Sequence, residues 1–294
     1  MIQRLAILGV GLIGGSVALA LKQAGAVRQV VGYGRQRANL QTALERGVLD
    51  TVADSPEAAV QDADRVLIAV PVGAMAATFA RIAPHLAADA RVFDVGSTKR
   101  DVIAAARAGL AGRIDRFVPA HPIAGAESSG AGAARADLFS GREVILTPLP
   151  ENIPADVAAI AELWRACGAR VSAMDAAEHD RVFAAVSHLP HLAAFALVDE
   201  LAGRGEATTF FRHAGSGFRD FTRIAASSPA MWRDIALANR DALLVELDAY
   251  LDRLADYRAA LQAGDGERLM QSFQRASEAR NGWSPEINPT GNES

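Results

Sequence analysis

The sequence predicts an α/β fold in its first half and an all-helical second half. Short β-branched runs alternate with alanine-rich helical segments up to about residue 150, and from about Ile153 to Gln274 only helical spacing remains. A third observation specifies the kind of α/β fold. The apolar run Leu5-Ala6-Ile7-Leu8 gives way to Gly9-Val10-Gly11-Leu12-Ile13-Gly14, a complete G-x-G-x-x-G pattern between a strand and a helix. Gly9 permits the tight turn, Gly11 lets backbone N–H groups approach a pyrophosphate, and Gly14 lets the helix pack closely on the strand. Leu12 and Ile13 open that helix, whose positive end faces the phosphates. The pattern is that of an N-terminal Rossmann dinucleotide-binding domain.

The elements follow in order. Strands are expected near 3–8, 29–33, 65–70, 91–95, 116–120 and 143–147, with helices between most of them, in a parallel sheet. Ligands lie at the carboxyl ends of such strands, so Val70-Pro71-Val72 and Asp94-Val95-Gly96-Ser97-Thr98-Lys99 should face the cofactor, with Val70, Pro71 and Ser97 in contact with it. The second strand ends Val31-Gly32-Tyr33-Gly34-Arg35-Gln36-Arg37, without the carboxylate that NAD sites place there. Gly34 leaves space, and Arg35 with Arg37 offers guanidinium donors to a 2′-phosphate. NADP is favoured without excluding NAD, and Arg35 stacked on adenine or turned to solvent is the alternative. Pro148-Leu149-Pro150 reads as the boundary, giving domains 1–150 and 151–280. The tail 281–294 has little to bury and reads as a loosely held arm.

Composition bounds the rest. The 294 residues are half hydrophobic and 22% charged with a net charge of −4, which suits two globular domains and makes no electrostatic case for nucleic acid or an anionic membrane surface. No targeting segment opens the chain and no later stretch is expected to approach a membrane span, so a cytoplasmic enzyme fits. Cys167 is the only cysteine, which leaves no disulfide framework and reads as a small buried residue.

Polar residues stand out against small or apolar neighbours in four segments. These are Gly96-Ser97-Thr98-Lys99, Pro119-Ala120-His121-Pro122-Ile123-Ala124-Gly125, Ser187-His188-Leu189-Pro190-His191 and Gly217-Phe218-Arg219-Asp220-Phe221-Thr222-Arg223-Ile224-Ala225. His121 closes a strand on the cofactor side of the sheet, where an alcohol oxidation needs a base that titrates near working pH. Plainer roles stand beside this one. Ser97 also suits capping of a helix beginning near Thr98, Lys99 and Arg100 read as first-turn surface charges, and Trp232 reads as core, with lining of the pocket the alternative. Arg219 and Asp220 could form a local ion pair. His188 and His191 lack a carboxylate partner at ligand spacing, so no metal is expected; one should reach the site and the other pack.

Together with the glycine fingerprint, these ordered motifs resemble the prephenate/arogenate (cyclohexadienyl) dehydrogenase family over nearly the whole chain. The resemblance implies a helical C-terminal dimerisation domain, hence a homodimer. It also implies NAD(P)-dependent oxidative decarboxylation of prephenate, arogenate or both, to 4-hydroxyphenylpyruvate or tyrosine. By the same resemblance His121 matches the catalytic histidine, and Ser97 the serine that positions the substrate hydroxyl. Arg223 matches the arginine that binds a substrate carboxylate, with Arg219 a competitor for it, and His191 matches a second active-site histidine. Two rivals share the two-domain plan: an NADP-dependent hydroxyacid dehydrogenase or imine reductase, and a non-catalytic NADP sensor. The first commonly uses a lysine from the helical domain, yet no lysine occurs from Ile153 to Ser294. The second is separated by whether His121, Ser97 and Arg223 converge.

Overall fold

The computed structural model describes residues 1–125 and 128–283. Its first body is a doubly wound sheet, built from β1 (Ile2–Leu8), α1 (Leu12–Gln23), β2 (Val27–Tyr33), α2 (Arg37–Glu45), β3 (Thr51–Val52), α3 (Pro56–Val60), β4 (Arg65–Ile68), α4 (Val72–Ile82), β5 (Arg91–Asp94), α5 (Arg100–Leu110) and β6 (Phe117–Val118). The strands are parallel in the order β3-β2-β1-β4-β5-β6, so the chain reverses direction between β1 and β4. Leu8, Ile68 and Asp94 stand in register at the carboxyl edge. Both faces are covered: Leu5, Ile7, Leu67 and Phe93 pack toward α1, whereas Ala6, Leu8, Val66 and Ile68 pack toward α3 to α5. This period-two division is what a strand buried on both sides requires.

Pro119 interrupts the strand expected at 116–120, because a residue without an N–H cannot continue the ladder. The chain then enters a separate sheet of β7 (Ala120–Pro122), β8 (Glu143–Leu146) and, after α6 (Pro154–Ala166), β9 (Arg170–Ala173), in the order β7-β8-β9. β7 and β8 are antiparallel and β8 and β9 parallel, so the strand near 143–147 does not join the parallel sheet. The expectation of helices alone beyond Ile153 also fails at β9. α6 packs on the first body: Trp164 is fully buried against Phe93 and Phe139, and buried Asp156 pairs with Arg91 and Arg116. Pro148-Leu149-Pro150 is therefore a crossing within the first body, and the passage to the helical body comes after β9.

The second body comprises α7 (Ala176–Phe183), a π turn (Ala184–His188), α8 (Leu189–Ala202), α9 (Ala207–Arg212), α10 (Ser216–Thr222), a 3₁₀ turn (Arg223–Ala226), α11 (Pro229–Ala238), α12 (Arg240–Ala263) and α13 (Gly266–Gly282). Asn281 and Gly282 belong to α13, and the arm expected at 281–294 lies outside the described residues beyond Trp283. Pro190 lacks the N–H that would close the ladder, which accounts for the widened π turn before it. Contrary to the sequence reading, the run Ala176–Ala202 is by length and composition apolar enough to cross a bilayer. It carries His179, Asp180 and His188, all buried, although only 22% of its apolar window is buried. Large apolar side chains elsewhere on these helices remain exposed, among them Leu244, Val245, Leu251, Leu254 and Phe273.

A Cβ at Gly14 would lie 2.4 Å from the Gly9 carbonyl oxygen, whereas one at Gly11 meets nothing within 4 Å. Gly14→Ala is expected to cost about 1–3 kcal/mol in urea denaturation, the usual range for overpacking. Gly11→Ala should cost about 1 kcal/mol or less, yet still weaken dinucleotide binding in a fluorescence titration.

Candidate active site

The fingerprint turn is built as a phosphate cradle. Gly9 has φ +102°, and a Cβ there would strike the Ala69 carbonyl at 2.4 Å, so β1 and β4 approach across a residue that must be glycine. Gly11 begins α1 in extended conformation, with no side chain capping the helix and no acidic residue in its first turn. The N–H groups of Leu12, Ile13 and Gly14 thus lack helical acceptors, and a Cβ on Gly11 would meet nothing within 4 Å. Asn39 braces the turn, donating to the Val10 carbonyl at 2.6 Å and accepting from Ala131 N at 2.7 Å. Gly34, Arg35 and Arg37 follow β2, both arginines exposed; Val70 and Pro71 follow β4. All lie along the carboxyl edge, and the residues present fit a nicotinamide dinucleotide.

Next along that edge, a buried ion pair ties β5 to β7. Asp94 and Lys99 are both fully buried, 2.5 Å apart. Asp94 also accepts from Gly96 N at 2.8 Å and Ala120 N at 3.0 Å, and Lys99 Nζ donates to the Ala120 carbonyl at 2.7 Å. Lys99 is thus no surface charge, although Arg100 is exposed. The knot sets the half-buried Ser97 in the turn beside β5 and places His121 just past Ala120. α5 begins at Arg100, not near Thr98, and the carboxylate of Asp180, from the helical body, takes its leading N–H groups: Lys99 N at 2.8 Å and Arg100 N at 2.9 Å.

From Asp180 a line of imidazoles reaches back to β7. His179 Nδ1 lies 2.9 Å from Asp180 Oδ1, and His179 Nε2 lies 2.8 Å from His121 Nδ1. Burial first, then the neighbouring His179, Lys99 and His188, holds His121 well below the ordinary histidine range. Burial also lowers His179, against the hydrogen bond to Asp180. Burial alone would raise the Asp180 carboxyl, but hydrogen bonds from His179, Arg100 and Lys99 outweigh it and hold it low. Both rings are therefore neutral and the carboxylate ionised at pH 7.

The second histidine pair stands on the same helix run. Buried Asn239 donates to the Asp180 carbonyl at 2.7 Å and lies 3.1 Å from His188 Nδ1. Burial pushes His188 down to about 4, with the Ser97 carbonyl among the groups that oppose this. His191, half-buried, donates from Nδ1 to the Ser187 carbonyl at 3.0 Å and stacks on Trp232 with ring centroids 3.5 Å apart. Trp232 is thus a wall for His191 and lines a cavity of about 220 Å³ with His188 and Leu192, more than core filling. Arg223 lies near enough to His191 to lower it further, after burial. Arg219 is exposed one turn earlier on α10. A line of bonded or packed residues thus runs from His121 through His179, Asp180, Asn239 and His188 to Trp232 and His191, with Arg223 near its far end.

Comparison with known proteins decides the family. Residues 17–173 match the family model described as prephenate dehydrogenase, nucleotide-binding domain, and residues 175–275 match prephenate dehydrogenase, dimerization domain. The chain belongs to the prephenate dehydrogenase family. Cyclohexadienyl dehydrogenase of Zymomonas mobilis is 39% identical over 95% of both chains. A prephenate dehydrogenase structure from A. aeolicus, in complex with hydroxyphenyl propionate and NAD+, superposes with TM-score 0.87 at 33% identity, covering 95% of this chain and 97% of that one. Synechocystis arogenate dehydrogenase superposes with TM-score 0.78 at 27% identity, covering 95% and 99%. This prephenate dehydrogenase family member is an oxidoreductase that uses a nicotinamide dinucleotide, NAD(P).

Sequence reasoning missed His179, Asp180, Asn239 and the pairing of Asp94 with Lys99. Only one signal pointed toward the first two: Asp175, which caps α7 by accepting from Ala177 N at 2.7 Å, marks a helix start that brings Glu178-His179-Asp180 into its first turns. Lys99→Met leaves the Asp94 carboxylate buried without its cation, which is expected to cost about 3–5 kcal/mol in urea denaturation.

Proposed function

We propose that the protein oxidises the ring alcohol of prephenate, arogenate or both, with loss of the ring carboxylate as CO2, in tyrosine biosynthesis. The observation that carries this is His121, a neutral and half-buried imidazole just beyond the carboxyl edge of a dinucleotide-binding sheet. When bound, the nicotinamide supplies the hydride acceptor. His121 takes the hydroxyl proton, while Ser97 positions that hydroxyl. Arg223, beside His191, holds a substrate carboxylate through the parallel hydrogen bonds a guanidinium can make, and Arg219 offers a second guanidinium nearby. The ring carboxylate departs readily because its loss creates an aromatic ring, so the side chains have mainly to position the alcohol. The line of residues from His121 to His191, with Arg223 beside its far end, supports this reading over a non-catalytic sensor.

NADP is the preferred cofactor in this reading, since Gly34, Arg35 and Arg37 stand where an acidic residue would otherwise favour NAD. The exposed apolar helix faces support a homodimer through the helical domain, because surfaces of that kind are normally covered. A cytoplasmic setting goes with this chemistry.

Steady-state assays of both substrates with both nucleotides test the proposal. His121→Asn should lower kcat by about 10²–10⁴-fold, the usual worth of a general base. Arg223→Ala should raise the substrate KM, and Arg35→Ala the NADP KM but not that for NAD. Unchanged turnover in His121→Asn removes the base, and an unaltered NADP KM in Arg35→Ala removes the phosphate contact.

The pH profile has a fixed sign. Only neutral His121 can accept the proton, so kcat declines as pH falls through its depressed pKa, and the acid limb of the profile should lie below pH 6.5. An acid limb above 6.5 contradicts the assignment.

A further inference from the structure

Two side chains, His179 and Asp180, stand in line behind His121, and their hydrogen bonds have a direction set from the far end. Asp180 accepts from the backbone N–H groups of Lys99 at 2.8 Å and Arg100 at 2.9 Å, as an ionised carboxylate does. The same carboxylate lies 2.9 Å from His179 Nδ1, where a bare nitrogen would set lone pair against lone pair. His179 therefore carries its proton on Nδ1. A neutral imidazole has one such proton, so His179 Nε2 is an acceptor. At 2.8 Å from it, His121 Nδ1 must be the donor, and the remaining nitrogen of His121, Nε2, is left bare.

We propose that His179 and Asp180 are positioning residues that fix the tautomer of His121, so that its Nε2 is the atom that takes the substrate proton; the inference rests on His121 being the base. When the hydroxyl O–H bond breaks, the proton forms a new bond to His121 Nε2 and the ring becomes an imidazolium. Its Nδ1–H stays bonded to His179, and the Asp180 carboxylate behind supplies the compensating charge. Phe183 packs on both rings, with centroids 4.8 Å from His121 and 4.5 Å from His179, which limits their rotation. The other charged neighbour, Lys99, is occupied by Asp94 and the Ala120 carbonyl, and Asn239 engages Nδ1 of His188, while His121 Nδ1 itself lies at hydrogen-bond distance from His179. Asp180 also caps α5, so the line of bonds forms only where the helical body is seated on the sheet.

His179→Leu and His179→Gln test this without disturbing the bonds from Asp180 to α5. His179→Leu removes the acceptor and should lower kcat on the order of 10²-fold with the substrate KM within about twofold, since orientation of the base and not binding is lost. His179→Gln keeps a carbonyl oxygen in reach of His121 Nδ1–H and should restore most of that loss. In ¹⁵N spectra of histidine-labelled wild-type protein, with His121→Asn identifying the signal, His121 should be protonated at Nδ1 and bare at Nε2. Wild-type kcat in His179→Leu, equal losses in both variants, or a proton on His121 Nε2 at pH 7 overturns the inference. If His121→Asn itself turns over normally, the base assignment fails first; if it is inactive while His179→Leu is not, only the positioning role fails.

Discussion

The arrangement of the site depends on one carboxylate that crosses between two bodies. Asp180 belongs to the helical half, yet two of its hydrogen bonds go to the opening of α5 in the sheet domain. A helix start attracts negative charge and leaves N–H groups without acceptors, so this contact satisfies both demands at once. Hydrogen bonds to a charged acceptor are worth about 1.5–3 kcal/mol each, enough for a few of them to set how the halves meet. The same carboxylate orders His179, and its backbone carbonyl, through Asn239, sets the place of His188. Domain docking and alignment of the imidazoles are therefore one event in this molecule, not two.

Inside the sheet domain, the Asp94–Lys99 pair performs the complementary task. A buried ion pair is a poor source of stability, since removing two charges from water offsets much of their attraction. Its use here is directional. Every polar atom of the pair that the turn offers is bonded to Gly96 or Ala120, so the Ser97 turn and the start of β7 are held at a fixed separation.

The glycine fingerprint and the first strands could be read from the sequence because each depends on local pattern, periodicity or a turn only glycine can make; His121, expected to close a strand of the parallel sheet, lies instead within β7 of the second sheet. β9 could not be read in that way. Arg170-Val171-Ser172-Ala173 is short and shows no clean alternation of buried and exposed residues, and it is a strand only because β8 lies alongside. Lys99 looked like an ordinary first-turn cation since nothing in a linear reading says that Asp94, at the end of a strand, turns back to meet it. His179 and Asp180 were hidden for the same reason: their partners are 58 and 81 positions distant. The proline pair near residue 150 misled because it punctuates a crossing inside a domain as readily as a boundary between domains.

Folding and the proposed nucleotide choice draw on different residues along the carboxyl edge. Gly9 and Gly14 have no room for a side chain, since a Cβ at either would meet a carbonyl oxygen at 2.4 Å, and Asn39 braces the turn between them. Arg35 and Arg37, by contrast, project into solvent just after β2. On the proposed reading, a change of coenzyme preference would need substitution only at these two surface positions, leaving the glycine turn as it was.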